Sequence, residues 1–167
     1  MGLMCNSCFS IIKQLNDNRL CPLASCNGET VYIDDDFVNL ISGLNKNGFT
    51  TDFCCAGHYS HHTCYILFNL SQSEEYLQLN RHIFTENIDM HMEDIREQYL
   101  PKWHLLLTEF GSNGVSVSFD EYYGNFRATV RNGELSTYHT SLEESSNLLC
   151  NVRLPFFKVY DKICSYG

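Results

Sequence analysis

The chain has 167 residues, of which 44% are apolar and 19% are charged, a composition typical of one globular domain with at most a small appendage. Its 11 basic and 20 acidic residues give a net charge of −9 and a pI near 5.1. Affinity for duplex nucleic acid or for an anionic membrane surface comes largely from Lys and Arg, so neither kind of binding is expected. A basic protein partner suits this charge.

The nine cysteines bear on the compartment in which the protein works. Residues 1–20 contain neither the basic segment nor the apolar run of a signal peptide, and no apolar stretch reaches the length of a transmembrane helix. We therefore expect a cytoplasmic, reducing location. Clustered cysteines in such a compartment bind metal more often than they form disulfides.

The first 30 residues, called here the cysteine unit, contain two cysteine pairs separated by twelve residues. Cys5 and Cys8 form a C-x2-C turn, and Cys21 and Cys26 form a wider pair. Two such turns can aim four thiolates at one point, which is the arrangement of a closed, tetrahedral zinc site. The spacing predicts one structural zinc ion bound by Cys5, Cys8, Cys21 and Cys26.

A strand, a helix and two further strands are predicted after the cysteine unit. Residues 30–33 form a short β-like run, and Asp34, Asp35 and Asp36 then precede apolar residues at helical spacing up to Leu44. Asn47-Gly48 is a helix stop signal. Residues 49–54 and 64–70 are predicted strands, joined by a polar loop at residues 55–63.

The second half of the chain is predicted to mix helices and strands. Helices are expected at residues 71–84, 89–99 and 141–164, with Pro155 splitting or kinking the last one. Strands are expected at residues 103–110, 115–119, 126–131 and 135–138, with an Asn132-Gly133 hairpin turn. His104 is expected in the core of its strand, and Cys150 and Cys164 are expected to be buried thiols.

These elements predict an α+β fold, in which helices pack on a mostly antiparallel sheet and a four-cysteine zinc-knuckle unit lies at the N-terminus. The predicted division is residues 1–30 for the zinc-binding unit and 31–167 for the α+β domain.

A second cluster of cysteines and histidines lies at residues 54–64, and three interpretations of it stay open. A second metal site would use Cys55, His58, His62 and Cys64, since sulfur and imidazole ligands suit zinc. A reactive site would use a cysteine thiolate activated by His58. In a purely structural role, one cysteine of the Cys54-Cys55 pair would face the core and the histidines would be solvated.

Residues 33–68, about a fifth of the chain, resemble the start of the wybutosine-synthesis methyltransferase family. The resemblance rests on Asp34, Phe37, Leu40-Ile41, Leu44-Asn45, Gly48-Phe49, Thr51, Cys54-Cys55-Ala56-Gly57-His58, Tyr65-Ile66 and Phe68. It implies that Cys55, Gly57 and His58 lie on the family's site loop. His58 stands where that family has Arg, and the cysteine unit is foreign to it.

Two functions follow as hypotheses. The first is a zinc-stabilised acidic protein without catalytic activity, which binds a basic, nucleic-acid-handling protein and acts as an inhibitor of the kind made by phages. The second is a small enzyme that acts on a nucleotide or modified RNA through loop 55–58. In that enzyme Cys55 or His58 would be catalytic, and Asp34, Asp35 or Asp36 would approach from the neighbouring helix.

Overall fold

The computed structural model describes residues 1–57, 63–83, 100–119, 125–131 and 142–166. These ranges contain seven strands and four α-helices. Every strand pair within them is antiparallel, so helices occur together with antiparallel sheets, as the α+β prediction requires. No helix in the described part of the chain is long and apolar enough to cross a membrane.

A small sheet holds the cysteine unit together. Its strands are β1 (Gly2–Cys5), β2 (Ile11–Ile12) and β3 (Thr30–Ile33), in the order β2-β1-β3. The third strand pairs with β1 along its whole length, from Cys5 opposite Thr30 to Gly2 opposite Ile33. The sheet therefore extends past residue 30, and β3 carries the chain directly from the cysteine unit to the three aspartates.

The helix predicted after these aspartates is confirmed. A 3-10 turn at Asp35–Phe37 leads into α1 (Val38–Lys46), whose residues Leu40, Ile41 and Leu44 are buried. The helix ends at the predicted Asn-Gly signal. Gly48 has a φ of 91°, and the Phe49 N–H donates to the Leu44 carbonyl at 2.9 Å. This reversal needs a left-handed residue that glycine supplies without steric cost.

The larger sheet contains β4 (Thr51–Cys55), β5 (Thr63–Asn69), β6 (Ser116–Phe119) and β7 (Asn125–Arg131). Their order is β4-β5-β7-β6, so β4 and β6 are the edge strands. All four lie where strands were predicted, apart from shifts of one or two residues at their ends. Asn45 of α1 fixes the start of β4, because its side chain bonds both the N–H and the hydroxyl of Thr51.

The remaining helices are α2 (Glu74–Ile83), α3 (Pro101–Ser112) and α4 (Leu142–Tyr166). The predictions for α2 and α4 are confirmed, and α4 continues through Pro155. The prediction of a strand at residues 103–110 is wrong, since this segment lies within α3, where His104 is half-buried. Its buried residues Trp103, Leu106 and Phe110 follow helical spacing. The predicted helix at 89–99, strand at 135–138 and Asn132-Gly133 turn lie outside the described residues.

A cluster of aromatic rings forms the centre of the core. Trp103 is fully buried and contacts the rings of Phe49, Phe68 and Phe126 edge-on at 5.1 to 5.7 Å. Its indole N–H donates to the hydroxyl of Ser73, which is also buried, at 2.9 Å. The rings thus join α3 to the inner face of the larger sheet, with their one polar donor satisfied.

Glu75 of α2 caps the N-terminus of α3. Its carboxylate accepts the backbone N–H groups of Lys102 and Trp103 at 3.1 and 3.4 Å. These are donors that the first turn of a helix leaves without partners. Burial nevertheless raises the pKa of Glu75 above its usual value, although both N–H groups act to lower it.

The cysteine unit packs directly onto the rest of the protein. Met4 of β1 belongs to the main core, and half-buried Phe9 packs against the same core. The buried Ser42 hydroxyl of α1 donates to the Phe9 carbonyl. At Gly2, an added Cβ would lie 2.7 Å from the Cβ of Val38 in α1. The cysteine unit therefore shares α1 with the larger sheet.

Candidate metal centre

Short structural elements bring the four N-terminal cysteines together. Cys5 ends β1, Cys8 lies in the turn before β2, and Cys21 and Cys26 lie in the connection between β2 and β3. An antiparallel bridge between Leu20 and Glu29 closes that connection. The ligand atoms of the four cysteines all lie within 4.8 Å of one another. Within the described ranges, this is the one group of three or more such side chains that could hold a metal ion.

The sulfur separations fit a metal ion at the centre of a tetrahedron. Cys5 Sγ lies 3.6 Å from Cys26 Sγ, and Cys8 Sγ lies 3.8 Å from Cys21 Sγ. With metal–sulfur bonds of about 2.3 Å, the sulfurs of a regular tetrahedron lie about 3.8 Å apart. The two contacts join one cysteine of each pair, so the pairs interleave around a common centre.

The backbone of the cysteine unit is shaped around the sulfurs. The N–H groups of Ser7 and Cys8 point to Cys5 Sγ at 3.3 and 3.5 Å, a contact that stabilises a thiolate. Phe9, directly after Cys8, has a φ of 62°, and Ser25, directly before Cys26, has a φ of 65°. Left-handed backbone at two non-glycine residues is uncommon, and here it turns the chain beside each cysteine pair.

The thiols of the cysteine unit do not have equal acidities. Hydrogen bonds from the side chain and backbone of Ser10 lower the pKa of Cys8 to about 6. The pKa of Cys21 is raised to about 12, since burial and bonds with the other thiols outweigh the lowering effect of the Leu23 backbone. Four sulfurs this close cannot all ionise on their own because like charges repel, and a bound cation removes that obstacle.

A cleft of about 760 Å³ opens beside Cys8. Its walls come from the cysteine unit, the C-terminal end of α1 and the first turns of α2 and α3. Cys8 and Cys26 are half-buried, whereas Cys5 and Cys21 are buried. Cys8 is thus the one cysteine of the four that lines the cleft, and two of the four cysteines are covered by protein.

The second cysteine and histidine cluster is described in part. His58 and His62 lie outside the described residues, while Cys54, Cys55 and Cys64 lie inside them. Cys54 is opposite buried Ile66 and packs against the core, whereas Cys55 lies on the other face of β4, opposite half-buried Tyr65. The strand alternation thus separates the two neighbouring cysteines, and Cys54 and Cys64 share the inner face of the sheet.

The three aspartates have different partners. Asp34 reaches the end of β4, where its Oδ2 accepts the Ala56 N–H at 2.8 Å. Asp35 is paired with the N-terminal ammonium group at 3.1 Å. Asp36 is paired with Arg153 at 3.2 Å. Of the three side chains, that of Asp34 bonds the residue directly after β4. The role of an aspartate in a site at loop 55–58 stays a prediction.

Arg153 of α4 is a residue of this site that sequence reasoning missed. Its side chain is 16% exposed and donates to the carbonyls of Ala56 and Gly57, besides its ion pair with Asp36. It lies 97 residues from Ala56 in the chain, and no local motif marks it. The backbone just after β4 is thus bonded twice: Arg153 donates to its carbonyl groups, and Asp34 accepts its N–H group.

The thiols on the inner face are poor candidates for nucleophiles. Burial, together with the nearby Asp34 carboxylate, raises the pKa of Cys54 to about 12. Burial also raises the pKa of Cys64, which is fully buried, although Arg153 acts in the opposite direction. Both are neutral thiols at physiological pH, whereas nucleophilic attack requires the thiolate.

At the far end of α4, Cys164 is exposed, which contradicts the expectation that it is buried. The side chain of Cys150 is not described.

Comparisons with known proteins identify no relative of this chain. The chain matches no protein-family model, no curated protein and no solved structure.

Proposed function

We propose that Cys5, Cys8, Cys21 and Cys26 bind one zinc ion with a structural role. The sulfur separations near the edge length of a zinc–thiolate tetrahedron are the observation that carries this proposal. Four thiolate ligands favour zinc over hard cations such as magnesium or calcium. Since four protein ligands fill the tetrahedron, no position remains for water or substrate, and the metal stabilises the fold.

The zinc proposal is tested by elemental mass spectrometry of purified protein. We expect one zinc per chain in wild type, and loss of zinc together with a lower melting temperature in Cys5→Ser and Cys21→Ser. Cys164→Ser is the matched control, because Cys164 is exposed and lies outside the cluster. Full zinc content in Cys21→Ser would contradict the proposal.

His58→Ala, measured in the same experiment, addresses the second cluster. One zinc per chain in both His58→Ala and wild type would confine the metal to the cysteine unit. Two zinc ions in wild type that fall to one in the variant would instead assign a second metal site to Cys55, His58, His62 and Cys64.

We infer that the zinc-stabilised chain is a binding protein whose partner is a basic protein. The acidic charge is unevenly placed. In the cysteine unit Lys13 and Arg19 balance Asp17 and Glu29, so the whole net charge of −9 belongs to residues 31–167. Such a charge speeds association with a basic partner and weakens binding to nucleic acid. Proteins that handle nucleic acids often carry basic channels, to which an acidic protein can bind. A cytoplasmic inhibitor of such a protein, for example a phage-type inhibitor, fits this proposal.

Affinity capture at low and high salt tests the partner proposal. We expect basic proteins to be enriched on the immobilised chain at low salt and to be released as salt screens the charges. A partner set with no excess of basic proteins, or retention that is independent of salt, would contradict it.

One observation supports an enzyme as a second candidate, namely the placement of Asp34 beside Cys54 and Ala56. A small enzyme acting on a nucleotide or modified RNA, related in its site loop to the wybutosine-synthesis methyltransferases, would use this corner with Cys55 and His58. We rank it second because Asp34 and Arg153 already bond the backbone of Ala56 and Gly57, a structural role that accounts for their position without a substrate. Loss of a nucleotide-directed activity in Cys55→Ala and His58→Ala would reverse the order.

A further inference from the structure

In the part of the chain that the structure describes, the β4 edge of the larger sheet is an unusual surface. β4 pairs with β5 on one side, and no described strand pairs with its other side. Natural proteins protect such edges with Lys, Pro or bulges, because unpaired N–H and C=O groups attract another strand. The five residues of β4 contain neither Lys nor Pro, and the strand is protected by its short length, by the charge of exposed Asp52 and by a register shift between Thr51 and Phe53. Phe53–Cys55 continues beyond it as a regular strand.

Phe53 provides an apolar anchor on this edge. Phe53 is 69% exposed, more than any other aromatic residue in the described part of the chain. Leu67 lies opposite Phe53 on β5, and the half-buried Tyr65 lies two residues along the same face. Arg127, two strands away from β4, lies over the Tyr65 ring at 4.8 Å. The outer face of the sheet therefore presents a short apolar stripe that starts at the open edge.

Carboxylates lie at both ends of β4. Exposed Asp52 is at its start, and Asp34 accepts the Ala56 N–H just after its end, with Asp35 and Asp36 next to it in the chain. Two cations offset these four charges, since the N-terminal ammonium group pairs with Asp35 and Arg153 pairs with Asp36. The ends of the edge strand thus retain two negative charges, which matches an extended segment with basic residues beside an apolar one.

We propose that β4 binds an extended, basic segment of a partner protein as an added strand, with Phe53 as the apolar anchor. This inference rests on the proposed function and assigns its partner a place and a mode of binding. Backbone hydrogen bonds to an edge strand provide affinity, and the alternating side chains provide specificity. A peptide occupant is favoured over single-stranded nucleic acid, because the charges at the ends of β4 and the net charge of −9 both repel phosphate.

The test uses full-length, zinc-loaded protein and a labelled short peptide that alternates lysine with valine. A peptide with glutamate in place of lysine is the ligand control. We expect the lysine peptide to bind and the glutamate peptide not to bind. Phe53→Ser should weaken binding by about tenfold or more, as for an aromatic anchor at an interface. Asp52→Asn should weaken it severalfold at low salt and have no effect at high salt.

Leu154→Ser is the matched control variant, since Leu154 is 47% exposed but lies on α4. We expect wild-type affinity from it. Hydrogen exchange should show slower exchange of β4 amides in the presence of the lysine peptide, which a contact made by side chains alone would not produce.

Four results would overturn the proposal. Salt-dependent binding that Phe53→Ser leaves unchanged would keep the acidic binding function but place it elsewhere. If neither peptide binds, β4 is not a peptide-binding site. The proposed function would then be tested separately, by the affinity capture at low and high salt. Phe53-dependent binding of a single-stranded oligonucleotide would make the sheet a nucleic-acid platform. Phe53-dependent self-association would make the edge a dimer interface.

Discussion

Replacement of Gly28 by alanine tests the geometry of the metal centre without removing a ligand. A Cβ at this position would lie 2.4 Å from Cys5 Sγ and 2.7 Å from the Cβ of Ser7. Unbonded heavy atoms of this size approach to about 3.5 Å, so the methyl group overlaps the sulfur by about 1 Å. Its φ is not in the left-handed region, so the conflict is one of space.

The loss of zinc affinity depends on how far Cys5 Sγ can move away from the new methyl group. The N–H groups of Ser7 and Cys8 hold this sulfur, and the proposed zinc ion would hold it further, so it cannot rotate away as a flexible side chain would. Overpacking of this kind costs about 1 to 3 kcal/mol. If this cost is borne by the metal-bound state, zinc affinity falls by about 5- to 150-fold.

Competition with a chromophoric chelator measures this affinity, and thermal unfolding with and without the chelator measures stability. Gly111→Ala is the matched control, because Gly111 lies in α3 with nothing within 4 Å of an added Cβ. We expect the control to keep its zinc affinity and gain about 0.5 to 1 kcal/mol of stability. If Gly28→Ala binds zinc as tightly as wild type, Cys5 Sγ does not lie beside Gly28 in the zinc-bound protein, and the reasoning is refuted.

Three further substitutions test contacts away from the metal. The pKa of Glu75 is raised from 4.5, so Glu75 contributes free energy of unfolding at acidic pH that is lost as pH rises through its folded pKa. Urea unfolding at several pH values should show this loss in wild type and in the control Glu74→Gln. The loss should be absent in Glu75→Gln. Ser73→Ala should lower the free energy of unfolding by about 1 to 3 kcal/mol, because a buried indole N–H loses its acceptor. Arg153→Met should accelerate hydrogen exchange at residues 56–57 and cost about 1.5 to 3 kcal/mol, whereas Lys158→Met, exposed on the same helix, should do neither.

The elements that the sequence predicts correctly are those whose signals are local. The cysteine pairs, the Asn47-Gly48 stop and the alternation of residues 116–119 each lie within a few neighbouring positions. The structure brings the two cysteine pairs within ligand distance because each pair is a turn, and a turn depends little on distant residues.

The misassigned helix α3 shows where local signals compete. Trp103 and the apolar residues after it form a run that suits either a buried strand or a buried helix, and β-branching does not decide between them. Pro101 at the first turn and Asn113-Gly114 after the last turn would have favoured a helix. Gly114 has a φ of 73°, and the Val115 N–H donates to the Phe110 carbonyl, the same termination as in α1.

The corner at Asp34 and Arg153 could be predicted only in part. Aspartates before a helix are visible in the sequence, but the identity of the one that turns toward β4 depends on where β3 delivers the chain. Arg153 reaches the same backbone from α4, across 97 residues, through packing that no short pattern encodes. Long-range contacts of this kind require the assembled core, whereas cysteine turns at close spacing do not.

The metal centre and the open sheet edge are joined by a short path. Cys26 is followed by β3, and β3 is followed at once by Asp34, whose carboxylate holds the residue after β4. β3 itself is held by pairing with β1, which ends at Cys5, one of the four proposed zinc ligands. Removal of zinc should therefore loosen β3 first and then release the Ala56 N–H, so that chelation weakens binding at β4 even though the metal contacts no partner. Hydrogen exchange before and after chelation checks this order, and unchanged protection at residues 51–56 in the zinc-free chain would show that the cysteine unit and the edge strand are independent.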